Sequence, residues 1–137
     1  MSSFPLKIVT PDGLIFDGQA ERIIVRTTEG DMAVMARHIN CVTPLGMGQA
    51  ILVDAEGNRR TAACIGGMLS VVNGEVNLVP TTFEWADEID ADRAEKSLRR
   101  AKDILKKKDN TDTEIRLAEA RLKRALIRKS VAQSYNR

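Results

Sequence analysis

The chain has 137 residues, with 21 Lys and Arg against 19 Asp and Glu, a size that suits one domain, or one domain with an appendage. No apolar run reaches the ~18 residues of a membrane-spanning helix, and MSSFPLKIV lacks the charged start and long apolar core of a signal peptide. One histidine and two distant cysteines, Cys41 and Cys64, make no zinc set, so a cytosolic chain is expected, still able to join a membrane complex.

Charge is unevenly spread. Residues 1–86 hold six basic and nine acidic side chains, and residues 87–137 hold fifteen and ten. The basic part is the last third.

Phe4 to Thr10 is a β-rich run ended by Pro11-Asp12-Gly13, a turn signal. Leu14 to Phe16 reads as a second run, ended by Asp17-Gly18. Ala20 to Thr28 and Asp31 to Met35 follow. Gly46 to Asp54 and Thr61 to Ile65 flank the hairpin loop Ala55-Glu56-Gly57-Asn58. Gly66-Gly67 interrupts, as a bulge or a close backbone approach. Met68 to Val72 then meets Val76 to Pro80 across Asn73-Gly74, a strong two-residue turn. Many short strands with regular turn signals predict an antiparallel β-sandwich or barrel.

No catalytic constellation appears in this half. His38 has no Ser or Cys nucleophile near it in an elbow pattern, and it reads as a surface hydrogen-bonding residue. Gly66-Gly67 lies in no phosphate-binding motif. Cys41 and Cys64 read as small apolar residues.

From Ile89 the pattern is helical. Asp90 is an N-cap, Asp92 suits the helix dipole, and Ile89 with Ala94 has the spacing of a hydrophobic staple. Ala94, Leu98, Ala101 and Leu105 form one stripe. Lys106-Lys107-Lys108 suits a helix end, and Asp109-Asn110 a turn. Thr111-x-x-Glu114 is a capping box that opens a second helix, with a stripe of Ile115, Ala118, Leu122 and Ala125. A short connection predicts an antiparallel helical hairpin. Its Ala-rich stripes bury little area, so the hairpin is expected to be marginal by itself.

Such a hairpin brings the end of the second helix beside the start of the first. Arg93, Arg100, Arg124 and Arg128 would then gather with Asp90. Four guanidiniums repel one another, and an anion such as a triphosphate would relieve that through charge-assisted bonds. Asp90 can accept from an amino group such as that of adenine. The competing reading is a solvated cationic face paired with Glu95 and Glu119.

These residues, taken in order, resemble a known family. Glu29-Gly30-Asp31 leading to His38, Thr43-Pro44-Leu45 with Gly48, Gly66-Gly67-Met68-Leu69-x-Val71, Ile89-Asp90-x-x-Arg93-Ala94 and Arg124-Ala125-Leu126 are similar to the epsilon subunit of the bacterial rotary ATP synthase. The resemblance covers nearly the whole chain. It implies a β-sandwich of about ten strands over residues 1–86 and a regulatory two-helix hairpin over residues 87–137. It implies a non-catalytic central-stalk subunit, peripheral on the cytoplasmic face of the bacterial membrane. The partners it implies are the gamma subunit, the c-ring near Asp31 and His38, and the alpha/beta head when the hairpin extends. The extended hairpin blocks ATP hydrolysis in that family. No cofactor is required, but regulatory ATP, with or without Mg, is implied at Asp90, Arg93, Arg100, Arg124 and Arg128, with Glu84 just upstream.

One loop departs from the family. Where Pro-Gly precedes the histidine and Ala-Pro follows it, this chain has Ala36-Arg37-His38-Ile39-Asn40. A different class of function, a nucleic-acid-binding module built on the basic hairpin, is the alternative. Interleaved acids and a single aromatic there, Tyr135, give it no stacking platform. A small β-sandwich enzyme is a third reading, and the missing constellation speaks against it.

Overall fold

A computed structural model describes residues 2–135. It divides into two compact units, Met1–Trp85 and Ala86–Arg137, and each is taken by itself.

The first unit has seven strands: β1 Phe4–Thr10, β2 Gly13–Thr27, β3 Gly30–Met35, β4 Cys41–Pro44, β5 Met47–Asp54, β6 Arg59–Val72 and β7 Glu75–Trp85. Their hydrogen-bonded order is β1-β7-β6-β5-β2-β3, with β4 on β6 and β1 also on β2. All pairs are antiparallel except β1 with β7. The unit is a β-sandwich, and three long strands serve both of its layers. The first half of β2 pairs with β1, and the second half with β3 and β5. The first half of β6 pairs with β5, and the second with β4. β7 meets β1 only through Val76, Asn77 and Leu78. Counted by layer, three strands count twice, so seven continuous strands give the ten segments that the sequence resemblance implies.

This corrects three readings. Asp17-Gly18 is not a turn: Asp17 stands opposite Lys7 and Gly18 opposite Leu6 in the β1–β2 ladder, and opposite charges facing across a ladder favour pairing. Gly66-Gly67 does not divide β6. Ile65 faces Thr82 and Gly67 faces Pro80 with no change of register, so a close approach, not a bulge, explains the glycines. A Cβ on Gly67 would lie 2.1 Å from the Val79 carbonyl oxygen. β7 runs through Pro80 to Trp85 rather than ending at the proline. Between them, Cys41–Pro44 is a strand that the periodicity did not predict.

The core lies between the layers. Leu6, Ile8, Ile23, Val25, Val34, Leu52, Leu69, Val71 and Leu78 are all buried in it, from alternate positions of their strands as a pleated sheet requires. Cys64 joins this core, and burial pushes its thiol up to about 12. Asn73 (φ 50) and Gly74 (φ 84) both adopt positive φ at the β6–β7 turn, as a type I′ hairpin needs. At the end of β7, Arg60 stacks 3.7 Å over the Trp85 ring, which Phe83 meets edge-on.

The second unit is a 3-10 turn, Ala86–Glu88, followed by α1 Ala91–Lys106 and α2 Asp112–Tyr135. The Asp90 side chain caps α1, accepting from the Arg93 N–H at 3.1 Å. Thr111 Oγ1 accepts from the Glu114 N–H at 3.2 Å and donates to the Glu114 carboxylate, so the predicted box forms as a pair of local bonds. The connection is tied by Asn110, whose amide donates to the carbonyls of Ile104 and Lys107. The Ile104 carbonyl also accepts from the Lys107 N–H at 3.2 Å, so the amide completes the satisfaction of the helix end. Ala94, Leu98 and Ala101 of α1 are buried, as are Ala118, Ala125, Val131 and Ala132 of α2. The seam is mostly methyl groups.

Candidate functional site: one flank of the helical hairpin

The register of the hairpin is fixed by one contact. Lys129 Nζ lies 2.9 Å from Glu95 Oε2, joining the end of α2 to the start of α1. In an antiparallel pair, each step forward on α1 is a step back on α2. Arg100, five residues after Glu95, is therefore level with Arg124, five before Lys129. Arg93 and Arg128 lie at the same end.

The faces follow from the α-helical repeat of about 100° per residue. Taking the buried Ala94 as origin, Arg93 and Arg100 fall on one flank of α1. Glu95 and Arg99 fall on the other, where they pair at 3.4 Å. On α2, with Ala118 as origin, Arg124 and Arg128 share one flank. In an antiparallel pair the matching flanks of the two helices lie on one side. All four arginines thus line one side of the seam, and the Glu95 pairs line the opposite side. Lys129 and Arg99 hold the Glu95 carboxyl below the usual range, the Lys129 bond being the larger cause.

The competing reading, cations neutralised by Glu95 and Glu119, therefore holds for Lys129 and Arg99 at Glu95, and not for Arg93, Arg100 and Arg124. Among the described residues, the guanidiniums of Arg93, Arg100 and Arg124 make no ion pair. Arg93 and Arg100 are exposed, and Arg124 and Arg128 half-buried. Asp90 stands at the end of this flank, one carboxylate oxygen spent on the cap and the other open to a donor. A polyanion with an amino group at one end fits this donor set in charge and in order. Glu84 belongs to the first unit, on β7 of the sandwich.

The two sandwich residues picked from the sequence do not share one spot. Asp31 lies near the start of β3, and His38 lies in the turn after its end at Met35, to whose carbonyl its N–H bonds, so the two belong to opposite ends of the strand. Asp31 stands opposite Arg26 in the β2–β3 ladder and pairs with it at 3.3 Å. His38 Nδ1 is 2.8 Å from the Ile39 carbonyl oxygen. Its loop is fastened by Asn40, whose side chain accepts from the Asn73 N–H at 2.8 Å, so this hydrogen bond does here what prolines would do by stiffness.

Sequence reasoning missed an exposed apolar face. Val42, Met68, Val72 and Val79 are 43–64% exposed. They come from β4, β6 and β7, with Met68 directly opposite Val79 and Val42 opposite Ser70. Their outward phase was legible, but only once the unpredicted strand β4 is put beside β6.

Comparison with known proteins decides the family. Residues 3–86 match the model for the ATP synthase delta/epsilon chain β-sandwich domain, and residues 87–133 match the model for its long α-helix domain. The chain belongs to the ATP synthase delta/epsilon family. An ATP synthase epsilon chain of Bacillus velezensis is 39% identical over 132 residues, covering 96% of this chain and 98% of that one. One from Clostridium novyi is 38% identical, covering 92% and 95%. A chain in the Euglena gracilis mitochondrial ATP synthase structure, which holds OSCP, F1 and the c-ring, superposes with a TM-score of 0.83. It is 22% identical, with 95% of this chain and 81% of that chain covered. A chain of the Tetrahymena thermophila central stalk and c-ring gives 0.65 at 15% identity, covering 93% and 95%. These likenesses agree on a sandwich followed by a two-helix hairpin. Among the described residues, no helix is long and apolar enough to cross a membrane.

Proposed function

We propose that this family member is a non-catalytic subunit of the central stalk of a rotary ATP synthase, peripheral on the cytoplasmic face of the membrane. Its sandwich docks on the rotor, and its hairpin restrains ATP hydrolysis in a nucleotide-dependent way. The observation that carries the regulatory part is the flank of Arg93, Arg100, Arg124 and Arg128 beside Asp90 on a weakly packed hairpin.

The mechanism follows from two features. A switch needs two states of similar free energy, and a ligand shifts them only by its differential affinity. The seam of Ala94, Ala101, Ala118, Ala125 and Ala132 around Leu98 supplies little apolar area, which keeps the folded hairpin marginal. The arginines repel one another when the hairpin is folded, and a polyphosphate bound across both helices reverses the sign of that term. ATP therefore favours the folded hairpin, and its loss favours extension toward the alpha/beta head. When Mg accompanies ATP, it travels with the phosphates.

For docking, the apolar face of Val42, Met68, Val72 and Val79 supports contact with the gamma subunit. An exposed apolar patch of this kind is commonly an interaction site. Asp31, at the far end of β3 from His38, supports a polar contact with the c-ring, and the His38 loop borders the apolar face through Asn40 and Asn73.

The test is ATP hydrolysis by the assembled complex, with the full chain and with one ended after residue 86. Hydrolysis should rise when the hairpin is absent, and added ATP should relieve inhibition only with the hairpin present. Equal rates under all conditions would remove the regulatory reading.

A further inference from the structure

Ser97 lies at the centre of the arginine flank. Two residues after Glu95, it is level with Ile127, the second residue before Lys129, between Arg124 and Arg128 and nearer Arg128. On α1 it falls within about 60° of both Arg93 and Arg100 on the helical wheel, at i+4 and i−3 from them. Ser97 is half-buried near the seam. Among the described residues, its hydroxyl makes no hydrogen bond, not even the common one to the carbonyl a turn earlier. A half-buried hydroxyl on the flank that carries Arg93, Arg100, Arg124 and Arg128 has mainly cations for polar neighbours, and a free proton to give.

We propose that Ser97 is a phosphate-binding residue of this chain, donating its hydroxyl hydrogen to the anion that the arginines hold. The proposal rests on the nucleotide reading of the flank and adds a specific contact to it. The chemistry is that of a neutral donor among charged ones. Arginines supply charge at the rim, and a short hydroxyl at the seam supplies a directional bond where no long side chain fits. The ligand class is a polyphosphate, with Asp90 at the other end taking an amino group of a base.

The experiment uses the full-length protein, with ATP and inorganic triphosphate as separate probes. Binding is followed by calorimetric titration and by the rise of the melting temperature with ligand, which reports binding to the folded form. Ser97→Ala keeps the helix, since alanine is the better helix former. It should weaken both probes by about tenfold, the equivalent of ~1.4 kcal/mol. Ser97→Thr keeps the hydroxyl and should retain most of the affinity. Ser97→Asp places a carboxylate among the arginines. It should raise the melting temperature without ligand and abolish the response to both probes. Arg99→Gln removes a cation from the opposite flank and should change neither. Two results would overturn the proposal in different ways. If ATP binds and Ser97→Ala binds it equally, the assignment of Ser97 fails while the nucleotide reading stands. If neither probe shifts the unsubstituted protein, both fail.

Discussion

Glu95 and Lys129 meet at 2.9 Å across the hairpin, and this one ion pair sets which residues of α1 and α2 are level. Glu95 also receives Arg99 from its own helix. Its carboxyl is held below the ordinary 4.5, chiefly by Lys129. A carboxyl depressed in the folded state adds stability that is present above its ordinary pKa. That stability is lost as pH falls through the lower, folded value. Glu95→Gln should therefore speed amide exchange in residues 91–106 at pH 7. Its difference from the unsubstituted chain should shrink as pH falls below the ordinary carboxylate range and vanish once Glu95 is protonated in the folded chain. An unchanged exchange rate at pH 7 would mean the pair is a passive surface contact, as many are.

Gly67 should be intolerant of any side chain. Its φ of +98 disfavours L-residues, and an added Cβ would sit 2.1 Å from the Val79 carbonyl oxygen and 2.6 Å from Pro80 Cα. Both obstacles are backbone of the paired strand, which cannot step aside. Gly67→Ala should destabilise the sandwich by about 2–4 kcal/mol, the range of strained backbone and overpacking combined. Denaturant unfolding followed by β signal measures this. Gly57, where nothing lies within 4 Å of an added Cβ, should show only the smaller cost of its positive φ.

What could be read in advance divides along physical lines. Local chemistry was legible: the Asp90 cap, the Thr111–Glu114 box and the Asn73-Gly74 turn all form with their own side chains and nearby backbone. Strand continuity was not. Asp17-Gly18 has the composition of a turn, but Lys7 and Leu6 hold it in a ladder from a distant stretch. Pro80 reads as a stop, yet it sits where β7 bends between layers and faces a glycine. The four arginines were legible from helical periodicity, because antiparallel packing follows from a short connection. Ser97 was not, since its central place depends on the register that Glu95 and Lys129 set. The apolar face depended on β4, whose four residues are too few to show a period.

Residues 1–85 should fold by themselves. The sandwich core draws on Phe4 through Trp85, and every ladder pairing of the seven strands lies within that span. A chain ended after Trp85 should give one cooperative melt with β-type circular dichroism. A non-cooperative transition would mean that the strands need the hairpin.

The apolar face can be tested without disturbing the core. Val79 is 48% exposed and sits opposite Met68. Val79→Asp should change the stability of the isolated chain by no more than about 0.5 kcal/mol, as surface substitutions usually do. Its retention on the gamma–c-ring assembly should fall by tenfold or more, because a carboxylate would be left unpaired at an apolar contact. Asp31→Ala should act additively with it if the two contact different partners. Normal retention of Val79→Asp would remove this face as the gamma contact.

Arg93 gives the sharpest separation between a nucleotide site and a solvated helix. It stands three residues from the Asp90 cap, which its backbone N–H helps to make, while its guanidinium makes no ion pair among the described residues. Arg93→Ala leaves that backbone bond in place and removes only the charge. If the flank is merely solvated, removing one of four like charges lowers repulsion, and the melting temperature without ligand should rise slightly. The nucleotide reading predicts the same small rise, so that measurement alone decides nothing. The decision comes with ATP. A charge-assisted hydrogen bond contributes roughly 1.5–3 kcal/mol, so Arg93→Ala should weaken ATP at least about tenfold and flatten the rise of melting temperature with its concentration. Asp90→Ala loses both the cap and the acceptor for an amino group. It should lower stability without ligand by about 1 kcal/mol and reduce the preference for adenine over guanine nucleotides. Asp90→Asn restores the cap but presents an amide to the base, and should recover stability without recovering full preference. A protein whose melting curve and whose exchange over residues 90–128 ignore millimolar ATP would have a hairpin that acts mechanically, its arginines facing water.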